Sequence, residues 1–228
     1  MTPTEFEYFV AEYFEQKGYS VKVTPQNGDY GVDVFASKGI EKIAIQAKMY
    51  GSATRDVNRA AIMELHGAKD FFDCTKAILA TDGVVRGDAQ NVAAKLGVEI
   101  LYLKDLPSLD NSSRKSIPSN LFDEIWMNHV FPLEGKKLLR SNGESNEILK
   151  VDWGGIERLT SNGRKQKIGV EIFKYAINKL LDDGFVSRDE INQNYPGRAS
   201  SGIILILSQV PEFEMTSRPT GIKRILRG

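Results

Sequence analysis

One cysteine, Cys74, and two histidines in 228 residues leave little material for soft-metal chemistry. A lone thiol excludes an intramolecular disulfide, and so few thiols and imidazoles offer no zinc cluster. No apolar run approaches the roughly 20 residues that a membrane-spanning helix needs. Formal net charge is zero, so bulk electrostatics do not announce a nucleic-acid partner. The opening residues, MTPTEFEYF, lack the basic-then-apolar order of a signal peptide. With the single cysteine, this leads us to expect a cytoplasmic protein that makes no use of a membrane. What is present looks globular: 41% apolar and 26% charged residues, enough for one large domain or two modest ones.

Charge is unevenly spread. Met1 to Ser108 carries 12 Lys/Arg against 15 Asp/Glu, and Leu109 onward carries 18 against 15. An acidic half joined to a basic half is compatible with DNA binding. Residues 109–120, LDNSSRKSIPSN, are polar and contain proline, which makes them the expected linker between domains spanning 1–108 and 121–228.

The first half alternates helix and strand patterns. Thr2-Pro3-Thr4-Glu5 is a capping box with proline in the first turn, and Phe6, Phe9, Val10, Tyr13 and Phe14 follow at helical spacing up to Gly18. Strands are expected at Tyr19–Val23, from Val32, at Ile43–Lys48, Lys76–Thr81 and Val98–Leu103. Helices are expected over about Thr54–Phe72 and up to Leu96. The order α-β-β-β-α-β-α-β implies a mixed sheet with helices on both faces.

The stretch from Gly28 to Lys48 stands out chemically. It is a glycine-rich turn, an acid (Asp33) at the start of one strand, and an amide and an ammonium (Gln46 and Lys48) at the end of the next. Alternation puts Gln46 and Lys48 on one face of that strand. Polar groups in an otherwise apolar hairpin need partners, and a divalent metal is one. The plainer alternative is a turn-forming aspartate and a lysine that snorkels past the sheet edge.

In the second half, helices are expected near Leu121–Val130 and over Gly169–Leu181, with a hairpin turn at Asn162-Gly163. Ser187–Glu190 is a second capping box opening a short helix to Asn194, and Pro196-Gly197 turns the chain. Arg198–Leu207 reads as a helix, although Ile203–Leu207 is β-friendly. The order implies a mainly helical domain of helix-turn-helix type, winged by residues 213–226.

Several of these residues together resemble the Mrr-like branch of the PD-(D/E)xK nuclease superfamily over residues 4–103. They are Phe6-Glu7, Gly18-Tyr19, Gly28-Asp29-Tyr30-Gly31-Val32-Asp33, Gln46-Ala47-Lys48, His66-Gly67, Ile78–Thr81 and the strand beginning Val98-Glu99. The resemblance implies a Mg²⁺-dependent phosphodiesterase, with Mn²⁺ as a substitute. Asp33, Gln46, the Ala47 carbonyl and Glu7 would hold the ion. Lys48 would hold or activate the attacking water and neutralise charge on the phosphate, and Glu7 would complete the metal site or orient Lys48. Gln46 stands where the superfamily commonly has an acid, so one negative charge is missing.

A nuclease core cuts whatever phosphate reaches it, so specificity requires another surface. Arg198, Ser200 and Ser201 at a helix start, with Gln193 and Asn194 before it, are the expected base-reading residues. Arg164, Lys165 and Lys167 are the expected phosphate contacts. The expected function is a sequence-specific, type II-like restriction endonuclease acting on double-stranded DNA as a homodimer. A modification-dependent nuclease and a DNA-binding regulator on an inactive nuclease scaffold are the alternatives. For the first alternative, Trp126 and Trp153 are the candidate cage for a flipped base.

Overall fold

Thr2 caps the first helix, α1 (Pro3–Gln16), as its sequence dictates. Its Oγ1 accepts from Glu5 N at 3.1 Å, and the Glu5 carboxylate accepts from Thr2 N at 2.8 Å. In the computed structural model the described residues are 1–24, 30–51, 53–106, 120–140, 143 and 145–225. The chain divides into two units, Met1–Pro118 and Ser119–Gly228. Gly28, Asp29 and all of the expected linker except Asn120 lie outside the described residues.

The first unit is built on a five-stranded sheet in the order β1 (Ser20–Val23), β2 (Val34–Lys38), β3 (Glu41–Lys48), β4 (Lys76–Thr81) and β5 (Val98–Tyr102). β1, β2 and β3 pair antiparallel, while β3, β4 and β5 pair parallel. The parallel pairs need crossovers, supplied by α2 (Arg59–Phe71) and α3 (Gly87–Leu96). Phe6, Val10 and Phe14 of α1 pack on one face, against Val34, Ala36, Ile43 and Ile45. Ile62 and Leu65 of α2 and Ala89 and Ala93 of α3 pack on the other, against Ala44, Ala77 and Leu79. The mixed, two-faced sheet is the one expected. α2 starts at Arg59 rather than near Thr54, for two local reasons. Asn58 caps the N–H groups of Ala60 and Ala61, and Val57 bridges to Val85.

The second unit departs from a mainly helical domain. A short helix, α4 (Leu121–Ile125), runs into a π-helical turn at Trp126–Val130. A four-stranded antiparallel sheet follows: β6 (Lys137–Leu139), β7 (Ser145–Asp152), β8 (Gly155–Leu159) and β9 (Lys165–Gly169). The sequence hid it because a bulge between Ile148 and Lys150 breaks the two-residue period of β7, and β9 buries only Ile168. Gly163 does turn the β8–β9 hairpin, at φ +70°.

Next come α5 (Val170–Asp183), β10 (Phe185–Ser187), α6 (Arg188–Asn194), α7 (Ser200–Leu207), β11 (Phe213–Ser217) and β12 (Thr220–Arg224). Their strands form a sheet in the order β10-β12-β11. The Ser187–Glu190 capping box forms as expected. α7 is a helix, not a strand, but every residue of it except Ser201 is buried. A helix apolar on all sides belongs to the core, so α7 presents no long face to a DNA groove.

Candidate active site

Asp33 sits one residue before β2, directly across from the end of β3. Its N–H donates to Ile45 O at 2.8 Å, and its carboxylate accepts from Ala47 N at 2.7 Å. That pair of bonds fixes the carboxylate at the end of the central strand.

On β3, Ile43 and Ile45 join the core under α1, and Ala44 joins the core under α2. Alternation therefore carries Gln46 and Lys48 onto the α2 face. Gln46 is fully buried, and neither its Oε1 nor its Nε2 has a hydrogen-bond partner. Gly31, at φ +78°, makes room for it: a Cβ there would lie 2.9 Å from Gln46 Nε2 and 3.3 Å from Glu64 Oε1. The amide and the Glu64 carboxylate thus flank the same glycine.

Lys48 is half-buried. Burial alone would push its ammonium towards the neutral amine, but Tyr50, Asp33 and Glu64 outweigh this and raise its pKa above the ordinary lysine value. Lys48 is therefore cationic at neutral pH. Its main chain is held from β4, where Thr81 Oγ1 donates to Lys48 O at 2.6 Å and itself accepts from Gly83 N. Asp82 accepts from Tyr50 N and Gly51 N, which fixes the chain just beyond Lys48.

Asp33, Gln46, Ala47 and Lys48 are thus brought together as the sequence anticipates. Glu7 is half-buried on α1, the helix that packs on the opposite face of the sheet. A second acid near Lys48, besides Asp33, is Glu64 of α2, which sequence reasoning missed. Its only signal was an acid between Ile62 and Leu65 of the buried stripe, and nothing local ties it to Gly31.

The donors near β3 are the carboxylates of Asp33 and Glu64, the Gln46 amide and main-chain oxygens. Among the described residues, no three His, Cys, Asp or Glu side chains cluster as a metal site. An oxygen-only set with few charges suits Mg²⁺, which keeps several waters and needs only one or two carboxylates. The unsatisfied buried amide of Gln46 is the feature that fits such an ion.

In the second unit, Arg198, Ser200 and Ser201 line a cavity, with Ser200 buried. Gln193 and Asn194 are exposed near the end of α6, and Arg164, Lys165 and Lys167 are exposed on the β8–β9 hairpin. None of these five lines the cavity. Trp126 is fully buried against Phe122 and Phe173, and Trp153 packs on Phe131, so the two form no open cage.

Residues 1–109 match the model of a family described as restriction endonuclease, Mrr_cat. Among solved structures, a protein of unknown function, AF1548, is 11% identical over 90% of this chain and 95% of that one, with a TM-score of 0.38. The DNA modification-dependent restriction endonuclease AspBHI is 18% identical over 44% of this chain and 28% of that one, with a TM-score of 0.36. No curated protein matches the chain.

Proposed function

We propose, from the match of residues 1–109 to the model of the Mrr_cat restriction endonuclease family, that the chain hydrolyses phosphodiester bonds of double-stranded DNA at a specific sequence with Mg²⁺. The observation that carries this reading is Gln46. Its amide is buried without hydrogen-bond partners, on the strand that also delivers Lys48 and across from Asp33. Asp33, the Gln46 oxygen and the Ala47 carbonyl would hold the ion. Bound there, a divalent ion supplies Lewis acidity at the scissile phosphate and a more acidic water.

The residues of the chain itself do the rest. Lys48, kept protonated by its acidic neighbours, meets the negative charge that grows on the phosphate. Glu64, on the same face, orients the ammonium. Glu7 sits on α1, which packs on the other face of the sheet, and cleavage by Glu7→Gln and Glu64→Gln compares the two acids.

The second unit would read the target. Its helix-strand-helix-helix-hairpin order, with a β10-β12-β11 sheet, supports a winged-helix-like arrangement. Because α7 is buried, Ser200 included, reading falls to Arg198 and Ser201 at its N-terminal end and to Gln193 and Asn194. Arg164, Lys165 and Lys167 would hold phosphates on the exposed hairpin. Two strands require two sites, which favours a homodimer.

The test is digestion of methylated and unmethylated plasmid with Mg²⁺ or Mn²⁺. Discrete fragments from unmethylated DNA are expected, with cleavage reduced on the order of 10²–10³-fold in Asp33→Ala and Lys48→Ala while DNA binding is retained. Fragments from methylated DNA alone would make the enzyme modification-dependent. Binding without cleavage under every condition would make it a regulator on a nuclease scaffold.

A further inference from the structure

The second unit holds a cavity of about 550 Å³ whose lining includes Arg140, Arg158, Arg188 and Arg198. No Asp or Glu is among the described residues that line it. Arg158 is the innermost of the four, at 3% exposed. Its guanidinium donates to Asn146 Oδ1 at 2.8 Å and to Gln166 Oε1 at 2.7 and 3.2 Å. Those acceptors are neutral, so they orient the charge without cancelling it. Burial, and then the like charge of Arg140, push the Arg158 pKa down to about 10, which still leaves it cationic at neutral pH.

The space around this guanidinium is built for it. A Cβ on Gly202 would lie 1.3 Å from Arg158 Nη1, so only glycine lets α7 approach so closely. Arg188 reaches Ser200 Oγ at 3.4 Å, at the N-terminal end of α7, where a helix favours negative charge. Gathering Arg158, Arg188 and Arg198 round one cavity with no acid among its described lining residues is unfavourable until an anion enters. Planar guanidinium forks match phosphate oxygens two at a time. The volume far exceeds a bare phosphate and falls in the range of small-molecule sites, and the Tyr195 ring forms part of the wall.

We propose that this cavity is a binding site for a nucleoside phosphate, held through its phosphate by Arg158, Arg188 and Arg198. The shared chemistry has two sources, a free nucleotide or one nucleotide unit of a DNA strand. The site shares Arg198 with the surface proposed to read DNA, but it stands on residues of the second unit alone and does not depend on phosphodiester cleavage at Asp33. A failure of cleavage leaves it in place.

Arg158 is too deep to remove safely, so the test uses the exposed rim residues in the full chain. Arg188→Ala and Arg198→Ala, singly and together, are compared with the wild-type protein after circular dichroism and melting without ligand confirm folding. Calorimetric titration and thermal shift at matched ionic strength use dAMP, deoxyadenosine without phosphate, inorganic phosphate and a short DNA duplex. The expected result is binding of dAMP or of the duplex, none of deoxyadenosine, and on the order of tenfold weaker affinity per arginine removed. Saturable dAMP binding identifies the free nucleotide as a ligand. Binding of the duplex alone, with a salt dependence that flattens in the double variant, identifies the DNA strand. Equal affinities for wild type and double variant, or binding of neither dAMP nor the duplex (with or without binding of inorganic phosphate), overturn the proposal.

Discussion

A buried amide with no hydrogen-bond partner costs about 1–3 kcal/mol, and Gln46 carries that cost at both of its polar atoms. Gln46→Met, close in volume and without the amide, is therefore expected to raise the unfolding free energy by about 1 kcal/mol while DNA cleavage is lost. Urea melts and plasmid digestion read the two effects separately. Added Mg²⁺ should raise the melting temperature of the wild type and leave Gln46→Met unmoved. Gly31 is the neighbouring constraint. Gly31→Ala places a methyl 2.9 Å from Gln46 Nε2 at a φ of +78°, and a loss of about 1–3 kcal/mol in urea melts is expected. The placement of Asp33, Gln46 and Lys48 at neighbouring strand ends was legible in the sequence because strand alternation and spacing are local. Glu64 was not: its place beside Gly31 depends on how α2 packs, and no pattern within α2 encodes that.

Among the elements, capped helices were the most legible. The Ser187 box at α6 forms as its residues dictate, and the backbone N–H and hydroxyl of Ser187, with Lys179, hold Glu190 below its ordinary value of 4.5. A carboxylate with a lowered folded pKa contributes stability at neutral pH that is lost as pH falls through that folded value. Melts from pH 7 towards pH 3 should therefore show a shallower decline for Glu190→Gln than for the wild type. Ser187→Ala should cost about 1 kcal/mol at pH 7. The four-stranded sheet was hidden for the opposite reason. Its strands are short and polar, and the bulge in β7 shifts the inward face by one residue midway. α7 was legible as a helix but not as a core helix, because the sheet strand that fills its flank with Arg158 was itself unseen.

Across the whole molecule, the apolar cores keep to their own units. The two clusters of the first half involve residues up to Leu103, and the cluster of the second involves Phe122 to Ile222. Each unit has its own core and sheets, so residues 1–118 and 119–228 expressed separately should each melt cooperatively. Loss of a sharp transition in either piece would show that the division of contacts is not a division of stability. The 1–118 piece should retain Mg²⁺-dependent stabilisation and lose sequence preference, as read by smearing rather than banding of digested plasmid.

β3 is the third of five strands, laddered to β2 on one side and β4 on the other. Backbone amides at its centre are released to solvent only when the whole sheet opens, so their hydrogen exchange should report global unfolding. If β3 carries the reacting groups as proposed, a strand clamped along both edges is not turned off by fraying. On that reading, control over where the molecule cuts would act on which phosphate arrives, and not on whether the reacting groups are assembled.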